Sequence, residues 1–163
     1  MQFTVPEEYI EFLKDFPRTG VFDKNVFFAG IEPSPWASDG VEQLEVLYGS
    51  CGQASNDISS VRKQYLDQIP ENLLAIGQVA GDNMVCIDLS GSSFGKIYVW
   101  DHEHRGGADH GLYLAANSFA AFVHSLYVGD YEPGDAKVIS STYSDEFKEM
   151  AENLIRNNPG KFR

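Results

Sequence analysis

Basic side chains are scarce in this sequence of 163 residues, and the scarcity limits the partners that we expect. The chain has 12 Lys and Arg residues against 24 Asp and Glu residues, so its net charge is −12 at pH 7. Nucleic acids and anionic membranes are bound through Lys and Arg. We therefore expect neither as a partner. The balance favours a basic partner, although an acidic surface that only keeps the protein soluble explains it equally simply.

Cysteine is also scarce, and long apolar runs are missing. Cys51 lies in a Gly/Ser-rich stretch, Cys86 lies in an apolar run, and neither belongs to a Cys-x-x-Cys pair. This usage is typical of a reducing compartment, so we expect a cytoplasmic protein. No run approaches the ~18 apolar residues of a transmembrane helix. Residues 1–16 have no basic start and no apolar core, so we expect no signal peptide there.

Sequence signatures of cofactor binding and catalysis are missing as well. The chain has no P-loop and no Gly-x-Gly-x-x-Gly that opens a helix, so Gly77, Gly81, Gly91 and Gly95 are interpreted as turn residues. No nucleophile is placed next to a base by the sequence. We expect no cofactor, no catalytic residues and no enzymatic activity.

What the chain does contain is an apolar pattern sufficient for one domain over residues 1–163. Hydrophobic residues make up 43% of the chain and aromatic residues 13%, which is typical of a folded domain of this length. Apolar spacing, with capping residues at the ends, predicts helices over residues 5–16, 57–65, 117–128 and 144–155.

The middle of the chain carries the pattern of β-strands. Apolar runs predict strands at residues 25–31, 41–48, 74–80, 84–89, 96–100 and 112–115. Residues 81–83, Gly-Asp-Asn, have the composition of a hairpin turn. Short connections require antiparallel neighbours. We therefore predict an α+β domain with a central antiparallel sheet and with helices, from the N- and C-terminal ends, packed on one face.

The densest polar cluster is residues 101–110, DHEHRGGADH. One interpretation is a metal site or an acid–base pair, but the spacing matches no strong zinc pattern. The other interpretation is a polar loop at a strand end that helps to form a recognition surface. We predict the second, with no metal bound.

Two further segments have the composition of a binding surface. Trp36 lies between Pro35 and Ala37, and an exposed Trp is typical of a binding hot spot, whereas a buried one covers a core. Residues 130–135, DYEPGD, combine a tyrosine with three acids, which suits contact with a basic partner. The predicted partner-binding residues are Trp36, Asp101, His102, Glu103, Asp109, Asp130, Tyr131 and Glu132.

The order of these elements resembles the SUKH superfamily, which includes bacterial immunity proteins and fungal cell-wall-synthesis regulators. Residues 6–13, PEEYIEFL, resemble its opening helix, and residues 69–76 and 85–89 resemble its central hairpin. Residues 95–103, GKIYVWDHE, resemble the strand that ends in Trp-Asp-His-Glu, and residues 116–119 resemble its Ser-Phe helix. Residues 16–20, FPRTG, depart from the Asn-Gly-Gly often found there.

The resemblance implies protein binding rather than catalysis. Bacterial members typically bind the toxic C-terminal domain of a secreted toxin, often a nuclease with a basic groove, so it implies a cytoplasmic immunity protein with a basic toxin domain as partner. Two alternatives remain. One is a regulatory adaptor for a host protein, as in the fungal relatives, and the other is a small metal-dependent enzyme that uses Asp101, His102, His104 and His110.

Overall fold

Helices and strands follow one another along the chain much as the apolar pattern predicts. A computed structural model of the protein describes residues 4–37, 39–50, 52, 56–104 and 111–129. In chain order, these residues form α1 (Glu7–Asp15), β1 (Gly20–Ala29), β2 (Val41–Leu47), α2 (Ile58–Gln64), β3 (Leu73–Val79), β4 (Met84–Asp88), β5 (Ile97–Trp100), β6 (Leu112–Ala116), α3 (Phe119–Ser125) and β7 (Tyr127–Val128).

The strands form one sheet in the order β6-β5-β4-β3-β2-β1-β7, and each neighbouring pair is antiparallel. The predicted α+β class and the antiparallel central strands are therefore confirmed. The predicted hairpin turn joins β3 to β4, where the Val79 amide donates to the Asn83 carbonyl at 2.9 Å. Gly81 and Asp82 adopt φ values of 85° and 63° there, a conformation that Gly and Asp tolerate better than most residues.

The first strand begins earlier than predicted. It starts at Gly20 rather than at residue 25, because Gly20 and Val21 pair with Leu47 and Val46. The pairing is interrupted by a register shift before Val26. Such an irregularity lets polar residues interrupt the apolar alternation without ending the strand. The sequence pattern therefore does not predict the part of β1 that precedes residue 25.

One of the four glycines assigned to turns lies within a strand instead. Gly77 belongs to β3, next to a register shift against β4. A Cβ atom at this position would lie 2.5 Å from the Val46 carbonyl oxygen of β2. The glycine is therefore needed because two strands approach each other closely, rather than because the chain turns.

Apolar side chains pack into two clusters that involve strand residues of opposite parity. The larger cluster joins α1 and α3 to the sheet, and in β3 it includes Leu74 and Ile76. The smaller cluster takes Leu73 and Ala75 of β3 together with Val61 of α2. Because neighbouring residues of a strand point to opposite faces, Val61 of α2 packs on a different face from that of α1 and α3, whereas Ile58 of α2 packs against both clusters.

The helix ends follow from local hydrogen bonds. Ser118 caps α3 by accepting from the Ala121 amide at 3.0 Å, and Glu8 of α1 accepts from the Phe119 amide at 2.7 Å. The predicted helix at residues 144–155 lies outside the described residues, so the placement of the terminal helices on one face stays a prediction. Within the described part, no helix has the length and apolar character needed to cross a membrane.

The sheet curls so that the chain leaving β1 reaches β6 at the other end of the strand order. The Ile31 amide donates to the Ala115 carbonyl at 3.3 Å, and the Glu32 amide donates to the Leu114 carbonyl at 2.8 Å. The Glu32 carboxylate in turn accepts from the Leu114 amide at 3.0 Å. Residues 31–32 therefore fasten the loop between β1 and β2 to β6.

Candidate functional site

The loop between β1 and β2 carries Trp36, and turn hydrogen bonds fix its course. The Ala37 amide donates to the Ser34 carbonyl at 3.2 Å, and the Gly40 amide donates to the Ala37 carbonyl at 2.8 Å. Trp36 is 39% exposed. The loop is therefore a defined turn that presents a large aromatic side chain to solvent.

A buried carboxylate holds the indole in place. Glu42 of β2 is only 6% exposed and accepts hydrogen bonds from the Ser34 hydroxyl and from Trp36 Nε1, the latter at 3.3 Å. Burial raises the pKa of the Glu42 carboxyl, the two hydrogen bonds oppose that rise, and the charge of Asp39 adds to it. A buried acid is costly to ionise unless it is hydrogen-bonded. The same bonds that satisfy Glu42 therefore orient Trp36.

The alternation along β2 contains a signal that Glu42 is buried. Glu42 shares its parity in β2 with Leu44, which lies in the core. Alternation along a strand places residues of the same parity on one face. A charged residue in register with a core leucine is thus expected to be buried and to need a partner, which here is the Ser34–Trp36 pair.

A tyrosine of β6 packs against the indole. The rings of Trp36 and Tyr113 are perpendicular, at 86°, with centroids 5.3 Å apart. This edge-to-face arrangement is favourable for aromatic pairs. It connects the Trp36 loop to β6 through side chains, in addition to the backbone hydrogen bonds of residues 31–32.

The predicted residues Asp101, His102 and Glu103 form a turn directly after β5. The Asp101 amide donates to the Gly111 carbonyl at 2.9 Å, and the Asp101 carboxylate accepts from the Glu103 amide at 2.9 Å. Asp101 thus uses its side chain to fix the turn, while Glu103 is exposed to solvent.

Asn83, from the turn between β3 and β4, anchors His102. Its side-chain oxygen lies 3.2 Å from the His102 amide nitrogen and 2.9 Å from His102 Nδ1. An amide oxygen is an acceptor only, so Nδ1 carries the proton in this contact. Asn83 is 7% exposed, and the turn is therefore supported from beneath by a buried polar residue.

Strand β6 brings the two predicted segments to the same part of the molecule. Tyr113, which contacts Trp36, pairs with Val99, and Leu112 pairs with Trp100, the residue that precedes Asp101. Ile31 is 53% exposed and lies in the loop between β1 and β2, which also carries Trp36. We use the name β6 surface for Tyr113 of β6 together with exposed or half-buried residues of the two loops that contact this strand. The residues from these loops are Ile31, Glu32, Trp36, Asp101, His102 and Glu103.

Asp109, Asp130, Tyr131 and Glu132 lie outside the described residues, as does His110 of the metal-site alternative. Within the described ranges, no three His, Cys, Asp or Glu side chains are grouped as the ligands of a metal ion would be.

A groove with a mainly apolar lining lies between α1 and α2. Its volume is about 740 Å³, and it opens beside Val5, Ile10, Leu13 and Ile58. Arg62 is the one charged residue among its described lining residues. Such a lining offers few polar groups that could fix the orientation of a small molecule.

Comparison with known proteins places this arrangement in a family context. The model of the SMI1/KNR4 family (SUKH-1) matches residues 1–125. An SPbeta prophage-derived uncharacterized protein, YokK, of Bacillus subtilis (strain 168) is 35% identical over 133 residues. The match covers 75% of this chain and spans 66% of the length of that relative.

Proposed function

Because the chain belongs to the SMI1/KNR4 family (SUKH-1), we propose that it is an immunity protein of the cytoplasm. It binds a toxin domain with one-to-one stoichiometry and blocks it without turnover. This family includes immunity proteins and is generally non-catalytic. The protein therefore acts as a binding module and needs no cofactor.

The observation that carries the proposal is the oriented tryptophan on the β6 surface. Trp36 is 39% exposed although its nitrogen is bound by a buried carboxylate. Aromatic side chains that are held rigid before binding lose little entropy when a partner covers them, and they dominate many interfaces. Asp101, His102 and Glu103 then supply polar contacts at the edge of the same surface.

The charge of the chain supports a basic partner. The whole chain carries −12, and no Lys, Arg or His lies between Lys24 and Arg62, a stretch that includes Trp36. A negative surface of this kind attracts a basic domain and repels an acidic one. A toxin domain whose active groove is basic is the partner that this charge favours. Asp109, Asp130, Tyr131 and Glu132 are proposed to extend the contact.

The bacterial origin of the relative favours an immunity protein over a regulatory adaptor. The relative named above is a prophage-derived protein of Bacillus subtilis, whereas the regulators of cell-wall synthesis are the fungal members of the superfamily. The proposal accordingly takes the immunity role as that of this chain.

The test is titration calorimetry of the full chain against the C-terminal domain of the protein encoded immediately upstream. We expect one-to-one binding that weakens as salt rises, together with complete inhibition of that domain at equimolar ratio. The substitution Glu103→Gln should weaken binding, while Glu7→Gln, an exposed acid on α1, should not. Full toxin activity in a molar excess of this protein would rule out the proposal.

A further inference from the structure

We propose that Trp36 receives the guanidinium group of a partner arginine on the open face of its indole ring. This inference rests on the proposed function, because it names the chemical group that the β6 surface takes from a basic partner. Three observations carry it: the fixed orientation of the ring, the charge around the ring, and an exposed apolar side chain in the same loop.

Two contacts fix the orientation of the indole. Its Nε1 donates to Glu42 at 3.3 Å, and the ring of Tyr113 stands perpendicular to it, at 86°. A perpendicular neighbour can cover at most one face of the indole. The 39% exposure of Trp36 shows that a large part of the side chain is in contact with solvent.

The surroundings of the ring are negative. Glu32 and Asp39 are exposed in the same loop, and the charge of Asp39 acts on Glu42, the acid bonded to the indole. A carboxylate that accepts the indole N–H also increases the electron density of the ring. Trp is the aromatic residue that attracts cations most strongly through its ring face.

Arginine fits this arrangement better than lysine or an apolar residue. Its guanidinium is planar, stacks on aromatic rings and donates several N–H bonds at once to carboxylates. Its aliphatic stem can pack against Ile31, which is 53% exposed. An apolar group on Trp36 would gain nothing from the negative charge of the neighbouring carboxylates.

The first experiment follows the two indole N–H signals of the full chain by NMR. The probe is a capped Gly-Arg-Gly peptide, and the control is the same peptide with citrulline, which keeps the shape of arginine but has no charge. Trp100, 4% exposed, serves as the internal reference. We expect a saturable shift of the Trp36 signal with arginine, a smaller shift with lysine, and no shift with citrulline.

Two results of that titration would overturn the inference. One is the same Trp36 shift with arginine and citrulline, which would mean that charge is irrelevant. The other is a signal that does not move with the arginine peptide. A Trp36→Leu variant supplies the assignment, because only the Trp36 signal should disappear.

The second experiment measures affinity for the upstream-encoded domain. Trp36→Leu should lower affinity roughly 5- to 30-fold, the range expected for a cation–π contact in a partly desolvated interface. Phe94→Leu is the matched control, since Phe94 is 43% exposed and lies outside the β6 surface. An unchanged affinity in Trp36→Leu would overturn the inference and leave the proposed function intact. A different result would rule out the proposed function but not this inference. In that case the wild-type protein does not bind the upstream-encoded domain, but its Trp36 signal still shifts with the arginine peptide.

Discussion

The two tryptophans of this chain differ in what holds them. Trp100 ends β5 at 4% exposure, within the apolar cluster that contains Val61 and Met84. Trp36 is 39% exposed and is held by a hydrogen bond to Glu42 and by one aromatic neighbour. The core fixes Trp100 through packing on many sides, whereas a polar contact orients Trp36 and leaves much of the side chain in contact with solvent. The difference separates a residue that stabilises the fold from one for which we propose a role in partner binding.

The largest expected effect on stability comes from replacing Trp100, the tryptophan of the core. Trp100→Ala removes a large buried side chain and leaves a cavity, so we expect the free energy of unfolding to fall by about 3–5 kcal/mol. Chemical denaturation monitored by far-UV circular dichroism would measure this. A loss below about 1 kcal/mol would mean that Trp100 is not the packing residue described here.

The substitution Trp36→Leu should cost less, about 1–2 kcal/mol of unfolding free energy. The reason is the buried Glu42 carboxylate, which loses one hydrogen-bond donor. In a Glu42→Gln variant, Trp36→Leu should lower the free energy of unfolding by a smaller amount. The reason is that a buried neutral amide without a hydrogen-bond donor costs less than a buried carboxylate without one. A double-mutant cycle measured by denaturation tests this coupling. Equal costs in both backgrounds would show that the hydrogen bond does not hold the ring.

A stability change away from both tryptophans provides a control. Asp57 caps α2, where its carboxylate accepts from the Ser60 amide at 2.9 Å, so Asp57→Ala should lower stability by about 1 kcal/mol. Hydrogen bonds lower the pKa of Asp57, and the bond from the Ser60 amide has the largest effect. Its stabilising effect is therefore present above the unfolded-state pKa and is lost as pH falls through the lower folded-state pKa. Affinity for the upstream-encoded domain should not change.

The smallest expected effect is a pH dependence from Glu42. Burial raises its pKa, so the folded chain binds this proton more tightly than the unfolded chain does. The resulting stabilisation is complete below the unfolded-state pKa and is lost as pH rises through the folded-state pKa. Glu42→Gln should therefore gain stability relative to wild type as pH rises across that window. A constant difference in denaturation midpoint between the two proteins over the same pH range would contradict this.

The apolar runs of the sequence predicted the centre of the fold, because β3, β4 and β5 are dense in Leu, Ile and Val and are joined by short turns. The pattern failed where structure depends on distant contacts. The contact between Glu32 and Leu114 joins residues 82 positions apart, and no local periodicity reports it. For the same reason the sequence identified Trp36 as a candidate binding residue but did not show whether its side chain is exposed or buried. That outcome depends on Glu42 and on Tyr113 from β6.

The fastening of residues 31–32 to β6 has a consequence for how recognition can evolve. A bare strand at the margin of a sheet is a template on which another chain can add a strand. Here the Leu114 carbonyl and amide are both occupied by Glu32, so this stretch of β6 offers a partner side chains rather than backbone pairing. Contacts made by side chains can be altered one substitution at a time without disturbing the sheet. The curled sheet can thus act as a constant frame on which related proteins diversify the partners they accept.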